Sequence, residues 1–297
     1  MTDYHGRPIL KEPVWTWEIP TYFFVGGMAG AAAPFAVLSE LRGDERLARR
    51  AWLVALAGVG ASPMLLISDL GRAERFHHML RVFKPTSPMN IGSWLLTAAG
   101  TAIGLGAARS VLGWFPRAGR VAGVTAVLGP ALSTYTGVLV ADTAIPVWHE
   151  ARRELPWVFA AGSAMSAGAA VALVGGGAPA RRLAFAGAAG ELASTIAMER
   201  GLGELGEPYR EGDAGRFAKA GKLATAAGAA LLAAGHARRS GGRAGTAAGA
   251  ALLLAGAFAT RWSVYKAGFQ SAANPRYVVE PQRAQAAARA DVPSPAA

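Results

Sequence analysis

Several polar side chains stand where an otherwise apolar chain has little structural need for them. Glu18 and Tyr22 are four residues apart, so they share one face of any helix that begins there. Asp69 closes an apolar stretch, and Tyr135 and Glu191 lie inside two others. Carboxyl and phenol groups at membrane depth are costly unless they bind something, and together they can hold a polar ligand and exchange its protons.

Each of these residues also has a structural interpretation. Glu18 can be an ordinary carboxylate at a helix start, and Asp69 can form a salt bridge with Arg72, three residues further on. A lone buried tyrosine such as Tyr135 often packs in a core, with its hydroxyl bonded to a backbone carbonyl. Residue type and spacing leave both interpretations open.

Glu191 lies in the middle of an apolar stretch and is a candidate proton relay. It can equally be a protonated core residue, or pair with Arg261. Arg261 follows the last apolar stretch of the sequence, so we expect the two side chains to lie at different depths. A proton channel or transporter that uses Glu191 is therefore one alternative for the function.

The whole chain is too apolar for a typical soluble domain. Of its 297 residues 52% are hydrophobic and 16% are charged, against about a quarter charged in soluble domains. Eight stretches are long and apolar enough to be candidate membrane helices, although alanine and glycine weaken the last three. We predict an all-α integral membrane protein, an eight-helix bundle with spans at 19–39, 51–68, 85–108, 121–141, 155–180, 183–198, 217–237 and 244–260.

Composition also excludes several kinds of site. The chain has no cysteine, which rules out disulfides, thiolate metal sites and cysteine-ligated iron–sulfur clusters. Its five histidines lie outside the spans or at their ends, so no pair can ligate a buried haem. We expect no haem, iron–sulfur cluster or metal in this chain. The net charge of +11 fits loops beside anionic lipid, so we expect a bilayer and no nucleic acid as partner.

The loops divide into two faces of the predicted bundle. The N-terminal face carries both termini and the loops after the second, fourth and sixth spans, which mix acids, bases, aromatics and prolines. The opposite face has short, densely basic loops, which favours the cytoplasm and places both termini outside a bacterial plasma membrane. We predict an N-terminal segment at 1–17, a membrane domain at 18–266 and a polar, disordered tail at 267–297.

A set of short motifs in this order resembles the NrfD/PsrC family, the membrane subunits of polysulfide-reductase-like molybdenum enzymes. The resemblance extends over most of the chain. Each motif is modest, and their order and spacing together make the match specific. The motifs are Trp15 and Trp17 with Gly26, Gly27 and Gly30; Asp69 to Arg72 with Arg75 and Phe76; Pro85 to Met89 with Gly92 and Trp94; Tyr135 to Gly137; Pro146 with Trp148; Leu155 and Pro156; and Lys266 to Gly268.

The resemblance implies a subunit that binds menaquinone or another quinone and exchanges electrons with partners. Those partners are a four-cluster ferredoxin-like iron–sulfur subunit and a molybdopterin catalytic subunit. Tyr135 matches the tyrosine of the family's quinone site. Tyr22 stands where some members have histidine, so Glu18 or Asp69 would have to exchange the protons.

We therefore expect Tyr22, Tyr135, Glu18 and Asp69 to form a quinone site, with the two carboxylates as catalytic proton carriers. Basic residues on the same face are candidates for partner docking, and a purely structural membrane anchor remains a further alternative. The docking candidates are Arg72, Arg75, Lys84 and Arg152.

Overall fold

The computed structural model describes residues 10–237 and 243–280, apart from the side chains of 235–237. All regular structure in these ranges is helical, which confirms the predicted all-α class. The helices are α1 (Glu18–Leu41), α2 (Glu45–Ser68), α3 (Pro88–Leu112), α4 (Gly119–Gly123), α5 (Thr125–Ala141), α6 (Pro146–Glu150), α7 (Leu155–Leu173), α8 (Gly177–Gly201), α9 (Gly212–Ala237) and α10 (Arg243–Ala273), with 3-10 segments at Ala73–Leu80, Pro116–Ala118, Ala151–Arg153 and Gly203–Tyr209.

Several of these helices are able to cross a membrane. Among the described residues, α1, α2, α3, α7 and α10 are each long and apolar enough, and a pair bent by 44°, Pro116–Gly123 with α5, adds a sixth candidate. The predicted sixth and seventh spans fall in α8 and α9, which are long but whose alanine, glycine and charged residues contribute little hydrophobicity. The protein is multi-pass, and the count of eight spans stays a prediction.

Local signals explain where two of these helices begin. Ser87 caps α3 by accepting a hydrogen bond from the backbone N–H of Asn90 at 3.4 Å, and Pro88 occupies the first turn. Asp44 caps α2 in the same way, through the backbone N–H of Leu47 at 3.0 Å. The helix starts are therefore set by neighbouring residues.

Small residues set the distances between helices. A Cβ on Gly30 of α1 would lie 2.7 Å from the carbonyl oxygen of Gly129 in α5, so only glycine permits this approach. Gly58 of α2 lies equally close to α1, where a Cβ would be 2.6 Å from the carbonyl oxygen of Val25. Close backbone approach replaces bulky side chains as the means of packing, as is common in membrane helices.

The bundle has two halves that share α1 and α7. Helix α1 packs on α2 and α5, while α7 packs on α8, and α9 pairs with α10. Both α1 and α7 also contact α10. Helix α10 continues to Ala273, beyond the predicted last span, and residues 276–280 form a short further helix. Residues 1–9 and 281–297 of the predicted terminal segments lie outside the described residues.

Candidate functional site

Two predicted carboxylates meet at the N-terminal end of α1. The backbone N–H of Thr16 donates to Asp69 at 3.2 Å, and its hydroxyl lies 2.5 Å from the same carboxylate. The Thr16 hydroxyl is also within hydrogen-bond distance of Glu18. The single hydroxyl proton of Thr16 can be donated to only one of these two carboxylates at a time. Both carboxylates are half-buried, so both are open to protons from solvent.

Tyr22 lies one turn below this pair and is buried, with 2% of its surface exposed. A Cβ on Gly26 would lie 3.0 Å from the Tyr22 ring and 3.2 Å from the hydroxyl of Ser62, so Gly26 leaves room between α1 and α2. Helix α1 packs on α5, and Tyr22 and Tyr135 are neighbours across that contact. The structure thus brings together two tyrosines that are more than 100 residues apart in the sequence.

Tyr135 is half-buried, and its hydroxyl end lies directly against Gly92 of α3. A Cβ at Gly92 would overlap the hydroxyl and the ring carbon that carries it. Within residues 10–237 and 243–280, neither the Tyr22 nor the Tyr135 hydroxyl forms a hydrogen bond, so each can donate one to a ligand. Both tyrosines therefore carry a hydroxyl without a protein partner in these ranges.

An apolar groove opens nearby, between α2, α3 and the 3-10 segment Ala73–Leu80. Its volume is about 420 Å³, and Leu66, Phe76 and Leu96 are among the residues that line it. Ser93, which follows Gly92, also lines the groove. A groove of this size and polarity can accommodate an apolar chain.

Aromatic residues fasten the N-terminal segment to α10. The ring of Trp15 stacks on Trp148 with centroids 5.3 Å apart, and the Trp148 indole N–H donates to the carbonyl of Val264 at 2.7 Å. The Tyr265 hydroxyl donates to the backbone oxygen of Trp15 at 2.7 Å. Trp17 is 56% exposed, as an interfacial tryptophan would be. These contacts hold Thr16 and Glu18 over the bundle.

The four predicted docking residues are exposed and follow helices that end at the N-terminal face. Arg72 and Arg75 lie at the 3-10 segment Ala73–Leu80, and Lys84 lies in the turn before α3. Arg152 follows α6 and lies 3.7 Å from Glu150. The Asp69–Arg72 pair considered above is absent from the described contacts, since Asp69 is engaged by Thr16.

Glu191 does pair with Arg261, contrary to the expected difference in depth. Their side chains are 3.0 Å apart, with 2% and 1% of their surfaces exposed. The expectation was wrong because Arg261 lies in the interior of α10, not at its exit. The guanidinium also donates to the carbonyl of Phe159 at 2.8 Å and lies 4.6 Å from the centre of its ring.

Further polar contacts continue from this pair toward the N-terminal face. The Thr225 hydroxyl of α9 lies 3.4 Å from Glu191. Two turns further along α8, Glu199 accepts two hydrogen bonds of 2.8 Å from Lys222. Burial, and then the charge of Glu199, raise the pKa of Tyr209 in the adjoining 3-10 segment. No three His, Cys, Asp or Glu side chains come together as a metal site among the described residues.

The C-terminal segment is fixed on the same face. The Tyr277 hydroxyl donates to Glu207 at 2.8 Å. Burial, together with this hydrogen bond, raises the pKa of Tyr277 to about 12. The short helix at 276–280 is thereby attached to the segment between α8 and α9.

Comparison with known proteins bears on this arrangement. The family described as polysulfide reductase, NrfD_2, matches residues 1–276. The protein belongs to this polysulfide reductase family. Among curated proteins, the C subunit of polysulfide reductase from Wolinella succinogenes is 32% identical over 91 residues, a stretch that covers 29% of the present sequence and 29% of that subunit. The resemblance inferred from the motifs is thereby confirmed.

For this member of the NrfD_2 polysulfide reductase family, sequence reasoning missed several residues that complete the arrangement. Thr16 and Tyr265 carry no pattern of their own, and only tertiary contacts show that they position the N-terminal segment. Ser163 of α7 lies 3.5 Å from the Arg261 guanidinium and against Gly27 of α1. A hydroxyl one helix away from a charge gives no signal in the sequence.

Proposed function

We propose that this protein is the quinone-reactive membrane subunit of an oxidoreductase complex. The observation that carries the proposal is the pair of phenol groups, Tyr22 and Tyr135, which lie together without hydrogen-bond partners among the described residues. A quinone has two ring oxygens that accept hydrogen bonds, and a quinol has two hydroxyls. The pair of tyrosines suits such a ligand, and family membership supports it.

The chemistry requires electrons and protons to leave by separate routes. Oxidation of a quinol to a quinone releases two electrons and two protons. In our proposal the protons pass to Glu18 and Asp69, which share Thr16 at the solvent-facing end of α1. The electrons pass to an iron–sulfur subunit and from it to a molybdopterin catalytic subunit, or in the reverse direction when a quinone is reduced.

The apolar groove between α2 and α3 supports the choice of a lipid-soluble substrate. Menaquinone and related quinones carry long isoprenoid tails, and in our proposal the apolar groove faces the lipid, where such a tail can enter. Exposed Arg72, Arg75, Lys84 and Arg152 provide basic groups for the partner subunit on the same face. We place that face, with both termini, outside the bacterial plasma membrane, because the opposite loops are short and basic.

The test is the rate of quinol oxidation by the complete complex purified from its native membranes. Tyr22→Phe and Tyr135→Phe each remove one hydroxyl and little else. We expect each to lower the rate about fivefold, since a hydrogen bond contributes roughly 1 kcal/mol. Tyr209→Phe is the control, because it also removes a tyrosine hydroxyl that has no hydrogen-bond partner among the described residues, and Tyr209 belongs to the 3-10 segment Gly203–Tyr209, outside the site.

The same variants decide against the structural-anchor alternative. An anchor without a quinone site would tolerate both tyrosine substitutions, and Glu18→Gln as well. Wild-type rates in the double variant Tyr22→Phe, Tyr135→Phe would overturn the proposal. Rates lowered equally by Tyr209→Phe would also overturn it, since the loss would then reflect buried hydroxyls in general.

Proton relay by Glu191 is the second candidate, favoured by its burial and by two polar pairs along α8 and α9, Glu191 with Thr225 and Glu199 with Lys222. The ion pair with Arg261 argues against a relay. A relay must gain a proton before it can release one, and a carboxylate paired with a guanidinium resists gaining one. In proteoliposomes, a relay predicts that Glu191→Gln abolishes proton flux and leaves quinol oxidation slow but present. Unchanged flux would leave Glu191 a structural residue.

A further inference from the structure

A charged cavity lies at the opposite end of the bundle from the tyrosines. It has a volume of about 460 Å³ and is formed by the end of α1, the start of α2 and the end of α3. Its walls contain three arginines and two glutamates, so its side chains carry a net positive charge. The ionisable residues are Arg46, Arg49, Arg109, Glu40 and Glu45.

Internal pairing neutralises one carboxylate and leaves most of the positive charge available. Glu40 pairs with Arg109 and also accepts the indole N–H of Trp52 at 2.7 Å. Each of its two carboxylate oxygens therefore has a partner in the protein. Arg109 is fixed over the end of α3 by the same contact, and its Nε is buried without a hydrogen-bond partner among the described residues.

The remaining two arginines direct their charge at the cavity. Arg49 donates through Nε to the carbonyl of Ser110 at 3.2 Å, which fixes its position and leaves its terminal nitrogens available to donate. Arg46 forms no hydrogen bond or ion pair with any described residue. The two lie three apart on the first turns of α2, where the helix dipole adds positive potential. The acid nearest to them in sequence, Glu45, is exposed.

Apolar residues around this end of the bundle place the cavity at the membrane boundary. Leu41 is 80% exposed and Leu112 is 55% exposed, at the ends of α1 and α3. Trp114 and Phe115 follow α3 and are also exposed, 61% and 58%. Exposed aromatic and aliphatic groups beside a cluster of arginines are typical of the interface between lipid tails and head groups.

We propose that this cavity binds the phosphate of an anionic phospholipid, with Arg46 and Arg49 as its ligands and the acyl chains lying along the apolar residues beside it. Guanidinium groups are suited to phosphate because they donate two hydrogen bonds in parallel. A free phosphate ion offers the same head-group chemistry but makes no contact with Leu41 or Leu112. The proposal is independent of the quinone site.

The experiment uses the full-length protein, purified in mild detergent and stripped of lipid. Phosphatidylglycerol, phosphatidylcholine and inorganic phosphate are added separately, while thermal unfolding and native mass spectrometry report stabilisation and retained lipid. We expect phosphatidylglycerol alone to bind and stabilise. In the double variant Arg46→Gln, Arg49→Gln, the affinity for phosphatidylglycerol should fall about 30-fold, because each basic residue contributes about 1 kcal/mol.

Arg117→Gln, Arg120→Gln is the matched control, since it removes two exposed arginines between α3 and α5 that do not line the cavity. Its affinity should stay at the wild-type value. Equal losses in the two double variants, or equal stabilisation by inorganic phosphate, would overturn the proposal. If the cavity double variant does not fold, Arg46→Gln alone still tests it, because Arg46 has no contact to lose among the described residues, and an unchanged affinity there would contradict it.

Discussion

At the scale of single residues, the candidate site depends on small neighbouring residues as much as on the tyrosines and carboxylates themselves. Tyr135 can direct its hydroxyl toward α3 only because Gly92 has no side chain. Tyr22 occupies its position beside a second glycine, Gly26. Glu18 and Asp69 come together through Thr16, a residue with no ionisable group. The positions of the polar groups are therefore set by neighbours that take no part in the chemistry.

Gly92→Ala tests this dependence. The new methyl group would overlap the Tyr135 hydroxyl, so we expect the ring to move and quinol oxidation by the complex to fall about tenfold. Gly104→Ala is the control on the same helix, because nothing lies within 4 Å of its added Cβ. Steady-state rates, with helical content as a check on folding, measure both. Equal rates in the two variants would show that Tyr135 does not need this position.

At the scale of elements, the buried ion pair joins helices from different parts of the sequence. Glu191 belongs to α8 and Arg261 to α10, while the guanidinium also bonds to Phe159 of α7. Gly162 makes room for both charged groups, since a Cβ there would overlap them. The pair fixes the rotation and depth of three helices that otherwise present mainly alanine and glycine to one another.

Replacing one member of the ion pair should therefore lower the free energy of unfolding more than replacing both. Glu191→Leu leaves a buried guanidinium without its counter-ion, and we expect a loss of about 3–5 kcal/mol in the free energy of unfolding. Arg261→Met should do the same from the other side. The double variant should recover most of the loss, because no charge is left buried alone.

Unfolding in detergent titrated with a denaturing surfactant compares the four proteins in a double-mutant cycle. We expect the loss of unfolding free energy in the double variant to be much smaller than the sum of the two single losses. Additive losses would mean that Glu191 and Arg261 stabilise the helices separately, and the ion pair would then contribute nothing as a pair.

At the scale of the whole molecule, the number of membrane spans depends on whether α8 and α9 cross the bilayer. Their lengths, 25 and 26 residues, are sufficient for a hydrocarbon core about 30 Å thick. Their composition is weakly apolar. Packing favours insertion, because α8 lies along α7 and α9 along α10, so both can be inserted with a strongly apolar neighbour.

Single cysteines test the topology, and the absence of native cysteine means that each gives an unambiguous signal. If α8 and α9 span, Glu211→Cys between them is labelled from the same side of the membrane as Lys84→Cys. Arg117→Cys, on the opposite face, is labelled only from the other side. A membrane-impermeant thiol reagent on oriented vesicles measures this. Labelling of Glu211→Cys together with Arg117→Cys would contradict the eight-span prediction.

Much of the fold and part of the site could be predicted from the sequence. The apolar stretches, the cap at Ser87 and the polar character of Glu18, Tyr22 and Asp69 are local properties. Because hydrophobicity adds up along a segment and a cap depends on neighbours three residues away, no tertiary information is needed for them. Family membership followed from motifs of the same local kind.

The tertiary structure alone decided which of these groups meet. Asp69 contacts Thr16 instead of Arg72, and Glu191 pairs with Arg261, 70 residues away. Such contacts depend on helix length, rotation and depth, which are fixed by close packing of glycine and alanine along whole helices. An error of one turn in the end of α10 moves a side chain by about 5 Å along the axis, more than the length of an ion pair. The sequence determined which residues are able to do chemistry, and packing determined their partners.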